Sequence, residues 1–157
     1  MSLFTIPFFN IHLNGSPTRV FHPSRGIRQG DPLSHFLFIP MVEGMNHLIQ
    51  TKKERGELRG IIFHDRIPPQ THHKFVDDTM LMGHPSFQEV QRFKKSLNLF
   101  AKASGLTFNP NKSHVFFLNI APATQRNIIQ ILGFSKGSFP SKYLGIPLKV
   151  GKLKKTS

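Results

Sequence analysis

The sequence predicts an α+β chain of short hairpin strands and helices. Three observations carry that reading. Tight-turn dipeptides stand between apolar runs, as at Asn14-Gly15; two longer stretches repeat apolar residues at helical spacing; and 157 residues amount to one domain or a piece of one.

The elements follow in order. Phe8 to Phe21 centres on Asn14-Gly15, whose two residues tolerate the positive φ that a type I′ turn needs, so a hairpin is predicted there. His22 to Ser34 is a polar, glycine-bearing loop. Asp31 then Pro32 fit an N-cap followed by the first helical position, where a missing N–H costs nothing. Leu33, Leu37, Met41, Met45 and Leu48 recur as one helical stripe, and Pro40 is expected to kink that helix or end it early. Thr51 to Arg59 is a polar turn, Ile61 to Phe63 a short strand, and Pro68-Pro69 a turn into the next hairpin.

That hairpin spans Thr71 to Gly83. It sets Asp77 and Asp78 between Phe75-Val76 and Met80-Leu81-Met82, which places two acids at its tip. Ser86 to Glu89 reads as a capping box. Val90, Phe93, Leu97 and Phe100 continue the helix as a stripe, with Gly105 just past its end. Asn109 to Ser113 is a turn, Val115 to Leu118 a strand, and Thr124 to Leu132 a helix ending at Gly133. Lys142 to Leu148 reads as extended, with Pro147 marking an edge or a strand end, and residues 149–157 form a basic, flexible tail.

Charge narrows the function classes. Lys and Arg number 21 against 8 Asp and Glu, a formal net charge of +13, which favours polyanions. No run of 18 apolar residues exists, so no membrane span is expected, and the N-terminus lacks a signal-peptide pattern. Zero Cys excludes disulfides and thiolate zinc sites and points to an intracellular protein. None of the nine His falls at the spacing of a zinc motif.

Two stretches carry chemistry. Adjacent anions repel, and a metal ion is a usual compensation; Mg²⁺ takes one or two carboxylates and completes its shell with water and phosphate. An Asp-Asp pair can equally be a solvated turn. Around Arg25, Arg28, Gln29 and Gly30, a bare glycine beside basic donors lets a ligand approach the backbone, although such a loop can also be a mere connection.

Taken together, these stretches resemble the reverse transcriptase of LINE-type (non-LTR) retrotransposons, in a plant-like form, from about Phe8 to Leu148. Gly26 to Ser34 resembles motif B, Phe75-Val-Asp-Asp78 motif C, Ser104 to Leu106 with Asn109 and Lys112-Ser113 motif D, and Lys142 to Leu148 motif E. The resemblance implies a polymerase palm, an antiparallel sheet with packed helices, and template-directed nucleotidyl transfer with two Mg²⁺ or Mn²⁺ ions. It implies an RNA template, a DNA primer and a deoxynucleotide as partners, and chromosomal DNA in the nucleus as the place of action. Asp77 would be the metal ligand and Asp78 its less essential neighbour. Arg28, Gln29, Gly30 and Phe75 would lie near template or nucleotide, and Lys112 near the leaving pyrophosphate. Lys112 reads equally as a solvated turn lysine. Tyr143, Leu144 and Gly145 would grip the primer.

The departures matter as much. The family's metal site also takes an Asp from an earlier strand, motif A, whereas the first Asp here is Asp31. His35 stands where Pro usually follows Leu-Ser in motif B, and Val76 replaces the commoner Ala. The expectation is a partial palm over residues 1–157, lacking fingers, motif A strand and thumb, and unable to polymerise DNA alone. A non-catalytic basic module that binds nucleic acid through phosphates is the alternative.

Overall fold

The computed structural model describes residues 8–22, 30 and 32–149. Strands β1 (His12–Leu13) and β2 (Ser16–Pro17) form the first hairpin, with Asn14 at φ 51° and Gly15 at φ 83°, both positive as a type I′ turn demands. A bridge between Phe9 and Phe21 lengthens it, and their rings stack at 5.9 Å.

Helix α1 (Pro32–Glu54) runs on through Pro40, contrary to the expected early end. Pro40 cannot donate to the Phe36 carbonyl, but both residues are exposed, so water can serve that oxygen. The buried stripe is also turned from the expected one. Met45 and Ile49 are buried with Met41 half-buried beside them, while Leu33 is 67% exposed. The expected N-cap, Asp31, lies outside the described residues.

After α1, the expected strand at residues 61–63 shrinks to one bridge, Ile61 with Gln70. Its neighbours turn back on themselves: the Ile67 N–H donates to the His64 carbonyl at 2.9 Å and the Arg66 N–H to His64 Nδ1 at 3.1 Å. Strands β3 (His72–Phe75) and β4 (Asp78–Leu81) then pair antiparallel, and the Met82 N–H extends the pairing to the Thr71 carbonyl.

Helix α2 (Phe87–Ser104) organises the core. Ser86 Oγ accepts from the Glu89 N–H at 3.3 Å, and Gly105, at φ 72°, closes the other end onto Ala101. Its predicted stripe is buried throughout. Phe93, Leu97 and Phe100 pack with Met45, Ile49 and Leu58, and Met41, Leu81, Phe108 and Phe134 border that cluster. Each such side chain contributes roughly 1.5–3 kcal/mol on burial. A lone two-stranded hairpin is marginal in water, so β3–β4 depends on Leu81 reaching this core.

Strands β5 (His114–Val115) and β6 (Ser135–Lys136) pair in parallel on either side of helix α3 (Pro122–Leu132), so the strand expected over residues 115–118 is shorter and starts earlier. Helix α3 ends at Gly133, φ 76°, and Lys94 Nζ donates to its Leu132 carbonyl at 2.7 Å. Strands β7 (Ser141–Tyr143) and β8 (Ile146–Leu148) form a hairpin where one extended segment was expected. Leu144 at φ 51° and Gly145 at φ 79° turn the chain.

The architecture is thus mixed α+β. Its described strands form four two-stranded ladders, of which β5–β6 is parallel, in place of one antiparallel sheet.

Candidate active site

Cross-strand pairs in the β3–β4 ladder sort its side chains onto two faces. His73 with Met80 and Phe75 with Asp78 share one face; His72 with Leu81 and Lys74 with Thr79 share the other. Leu81 borders the core, so the second face is the inner one. Two polar side chains sit on it. Lys74 Nζ lies 5.3 Å from the Phe100 ring centroid; burial lowers its pKa, while Asp77 and Glu43 pull the other way. His72 Nδ1 stands 3.1 Å from Thr71 Oγ1, and its pKa is lowered first by burial, then by Lys53, His73 and Lys74.

Val76 and Asp77 make the turn between the strands. Val76 has φ 52°, a left-handed conformation that costs an L-residue with a Cβ about 1–2 kcal/mol. Asp77, Asp78 and Phe75 are all exposed. Among the described residues the ion pairs are Lys52–Glu57 and Arg59–Glu89, and neither Asp77 nor Asp78 takes part in one.

The hairpin's outer face meets β7. Tyr143 approaches His73 with hydroxyl and Nδ1 3.2 Å apart and the rings edge-on, centroids at 5.7 Å and planes at 82°. Burial raises the phenol pKa, and the Asp78 carboxylate raises it further. The Leu144–Gly145 turn therefore follows directly on a residue docked beside the carboxylate face.

Of the residues singled out from sequence, Phe75, Asp77 and Asp78 share one hairpin tip, and Tyr143, with Leu144 and Gly145 next to it, comes alongside. Lys112 does not join them in any ion pair or side-chain hydrogen bond among the described residues. It lies exposed on a turn whose own bonds close it, Lys112 N–H to the Asn109 carbonyl at 3.2 Å and Asn111 N–H to Asn109 Oδ1 at 2.9 Å. Gly30 is exposed with φ 80°, while Arg28 and Gln29 lie outside the described residues.

Asp77 and Asp78 offer the hard oxygen donors that Mg²⁺ or Mn²⁺ takes. Even so, among the described residues no group of three His, Cys, Asp or Glu stands close enough to hold a metal.

Sequence reasoning missed Glu89 as the bracket that holds the hairpin's base. Only 2% exposed, Glu89 takes the Arg59 and His84 N–H groups on Oε1, each at 3.2 Å, and Arg59 Nε on Oε2 at 3.4 Å. It thereby fastens the exit from β4 and the residues after α1 to the start of α2. The capping-box pattern signalled an acid at that position, with the Ser86 N–H as its expected partner. Nothing in the pattern signalled Arg59, 30 residues earlier.

Among the described residues, no helix is long and apolar enough to cross a membrane. An uncharacterized mitochondrial protein from Arabidopsis thaliana is 45% identical to this chain over 67 residues, covering 43% of this chain and 55% of that protein. The chain thus spans about half the length of that curated relative. The profile described as reverse transcriptase (RNA-dependent DNA polymerase) matches residues 1–148, and the chain belongs to that family.

Proposed function

We propose that this chain is the palm portion, motifs B to E, of a LINE-type RNA-directed DNA polymerase, spanning residues 1–157 with a basic tail over 149–157. The observation that carries the reading is the β3–β4 turn, which presents Asp77 and Asp78 exposed and outside any ion pair among the described residues, with the Tyr143 hairpin docked beside them. Asp77 would supply one carboxylate to a Mg²⁺ or Mn²⁺ site and Asp78 a second, less essential one. Phe75, with Arg28, Gln29 and Gly30, would face the template or the incoming nucleotide. Tyr143, Leu144 and Gly145 would hold the primer. Lys112 would approach the leaving pyrophosphate only if its turn moves toward the hairpin.

In this reading the partners are an RNA template, a DNA primer and a deoxynucleotide, met at chromosomal DNA in the nucleus. In this reading the chain alone is not expected to extend a primer, because the first Asp in its sequence is Asp31 and the family's motif A Asp has no counterpart ahead of motif B. A second reading, a non-catalytic module that holds nucleic acid through phosphates, is favoured by the net charge of +13.

Primer extension on an RNA template with Mg²⁺, comparing the unaltered chain with Asp77→Asn, tests the proposal. No extension from either, with the hybrid still retained at low salt, is expected. Extension that vanishes in the variant would refute the inactive reading and establish the catalytic one.

A further inference from the structure

The β3–β4 and β7–β8 hairpins are 70 residues apart in sequence at their point of contact, where one pair of side chains both hydrogen-bonds and stacks edge-on. His73 lies on the outer face of β3, in the same row as Phe75 and Asp78. Tyr143 is the last residue before the Leu144–Gly145 turn, so whatever fixes its ring also fixes where that turn stands relative to Asp78.

We propose that His73 and Tyr143 form a latch that clamps the β7–β8 hairpin beside the carboxylate turn, making His73 a positioning residue for the strand end presented there. The positioning role rests on the function proposed above; the latch itself does not. Several features support it. His73 is exposed, so core packing does not dictate its identity. Its Nδ1 accepts from the phenol in the Nε2–H tautomer, while the edge-on ring contact fixes the direction of approach. A phenol is a hydrogen-bond donor at neutral pH, and burial, then the Asp78 carboxylate, raise its pKa further.

The sequence supplies its own probe. Tyr143 is the chain's sole tyrosine and there is no Trp, so fluorescence excited beyond the absorption band of Phe reports this ring alone. Acrylamide quenching is measured for the unaltered chain, His73→Leu and His73→Gln, with far-ultraviolet circular dichroism confirming that each is folded. His73→Leu should raise quenching markedly, because losing one net hydrogen bond shifts the docked-to-undocked ratio about fivefold. His73→Gln, whose amide oxygen can still accept from the phenol, should restore most of the protection. Equal quenching in the unaltered chain and His73→Leu overturns the latch, as does a failure of Gln to restore protection.

The positioning role is read separately, as binding of a recessed primer–template relative to a blunt duplex. The unaltered chain should prefer the recessed end, and His73→Leu should lose that preference while retaining salt-dependent binding to both. If the unaltered chain shows no preference while quenching follows the latch, the proposed function and the positioning role fall together and the latch stands. If the preference survives in His73→Leu, the positioning role alone is overturned.

Discussion

Replacing Glu89 separates two accounts of what holds the hairpin's base. Oε1 accepts two backbone N–H groups, from Arg59 and His84, whereas among the described residues Oε2 meets only Arg59 Nε, at 3.4 Å. The Arg59 side chain is 61% exposed, so the ion pair contributes at most about 1 kcal/mol. Glu89→Ala strands both N–H donors, at roughly 1–3 kcal/mol each. Both bonds are only part-buried, which lets water recover some of that, so the expected loss is about 2–4 kcal/mol. Glu89→Gln keeps an oxygen where Oε1 stands and forfeits only the ion pair, so about 1 kcal/mol or less should be lost. Urea unfolding at constant m gives both values from the shift in midpoint. A Gln variant as unstable as the Ala variant would mean that the charge matters and the acceptor geometry does not. An Ala variant within a few tenths of a kcal/mol of the parent would remove the bracket altogether.

Other positions give further tests. Val76→Gly should leave stability unchanged or raise it by up to about 1.5 kcal/mol, because relief of the left-handed strain, about 1–2 kcal/mol, matches or outweighs the extra chain entropy of glycine, about 0.5–1 kcal/mol; a clear fall in Tm would argue against the strained turn. His72 has a folded pKa below its ordinary 6.5, so the unfolded chain binds its proton first as pH falls. Its contribution is therefore a loss of stability that sets in as pH drops through 6.5 and is complete below the folded value, and His72→Asn should flatten that acid limb in urea titrations at stepped pH. Binding to an RNA–DNA hybrid should weaken linearly in log K against log salt, with a slope of about −0.9 per phosphate neutralised, and Asp77→Asn should bind equally or slightly more tightly.

How much of this was legible in the sequence depended on how local each cause was. The Asn14–Gly15 turn, the α2 stripe and the glycine ends of α2 and α3 are decided by neighbours within a few residues, and the structure has them where the pattern put them. The β7–β8 hairpin was not legible, because its first turn residue is Leu144, and a leucine at positive φ carries no turn signal. Of the two outcomes expected at Pro40, a kink or an early end, the early end did not follow: the local rule is strong, but exposure removes much of the penalty. The stripe of α1 was read one turn too far toward its N-terminus, since only the packing of α2 decides that Ile49 is buried and Leu33 is not. At the candidate site, the carboxylate tip was legible from a few residues of sequence. Its links to Tyr143 and, through Glu89, to Arg59 were not, because contacts across 70 and 30 residues leave no periodic trace.

Direct binding of Mn²⁺, followed by water-proton relaxation, tests most sharply whether Asp77 belongs to an incomplete divalent-ion site. Weak binding that Asp77→Asn abolishes is the predicted result. Tight binding would contradict it by revealing a further ligand that completes the site, and binding indifferent to Asp77→Asn would take the carboxylate turn out of the function altogether.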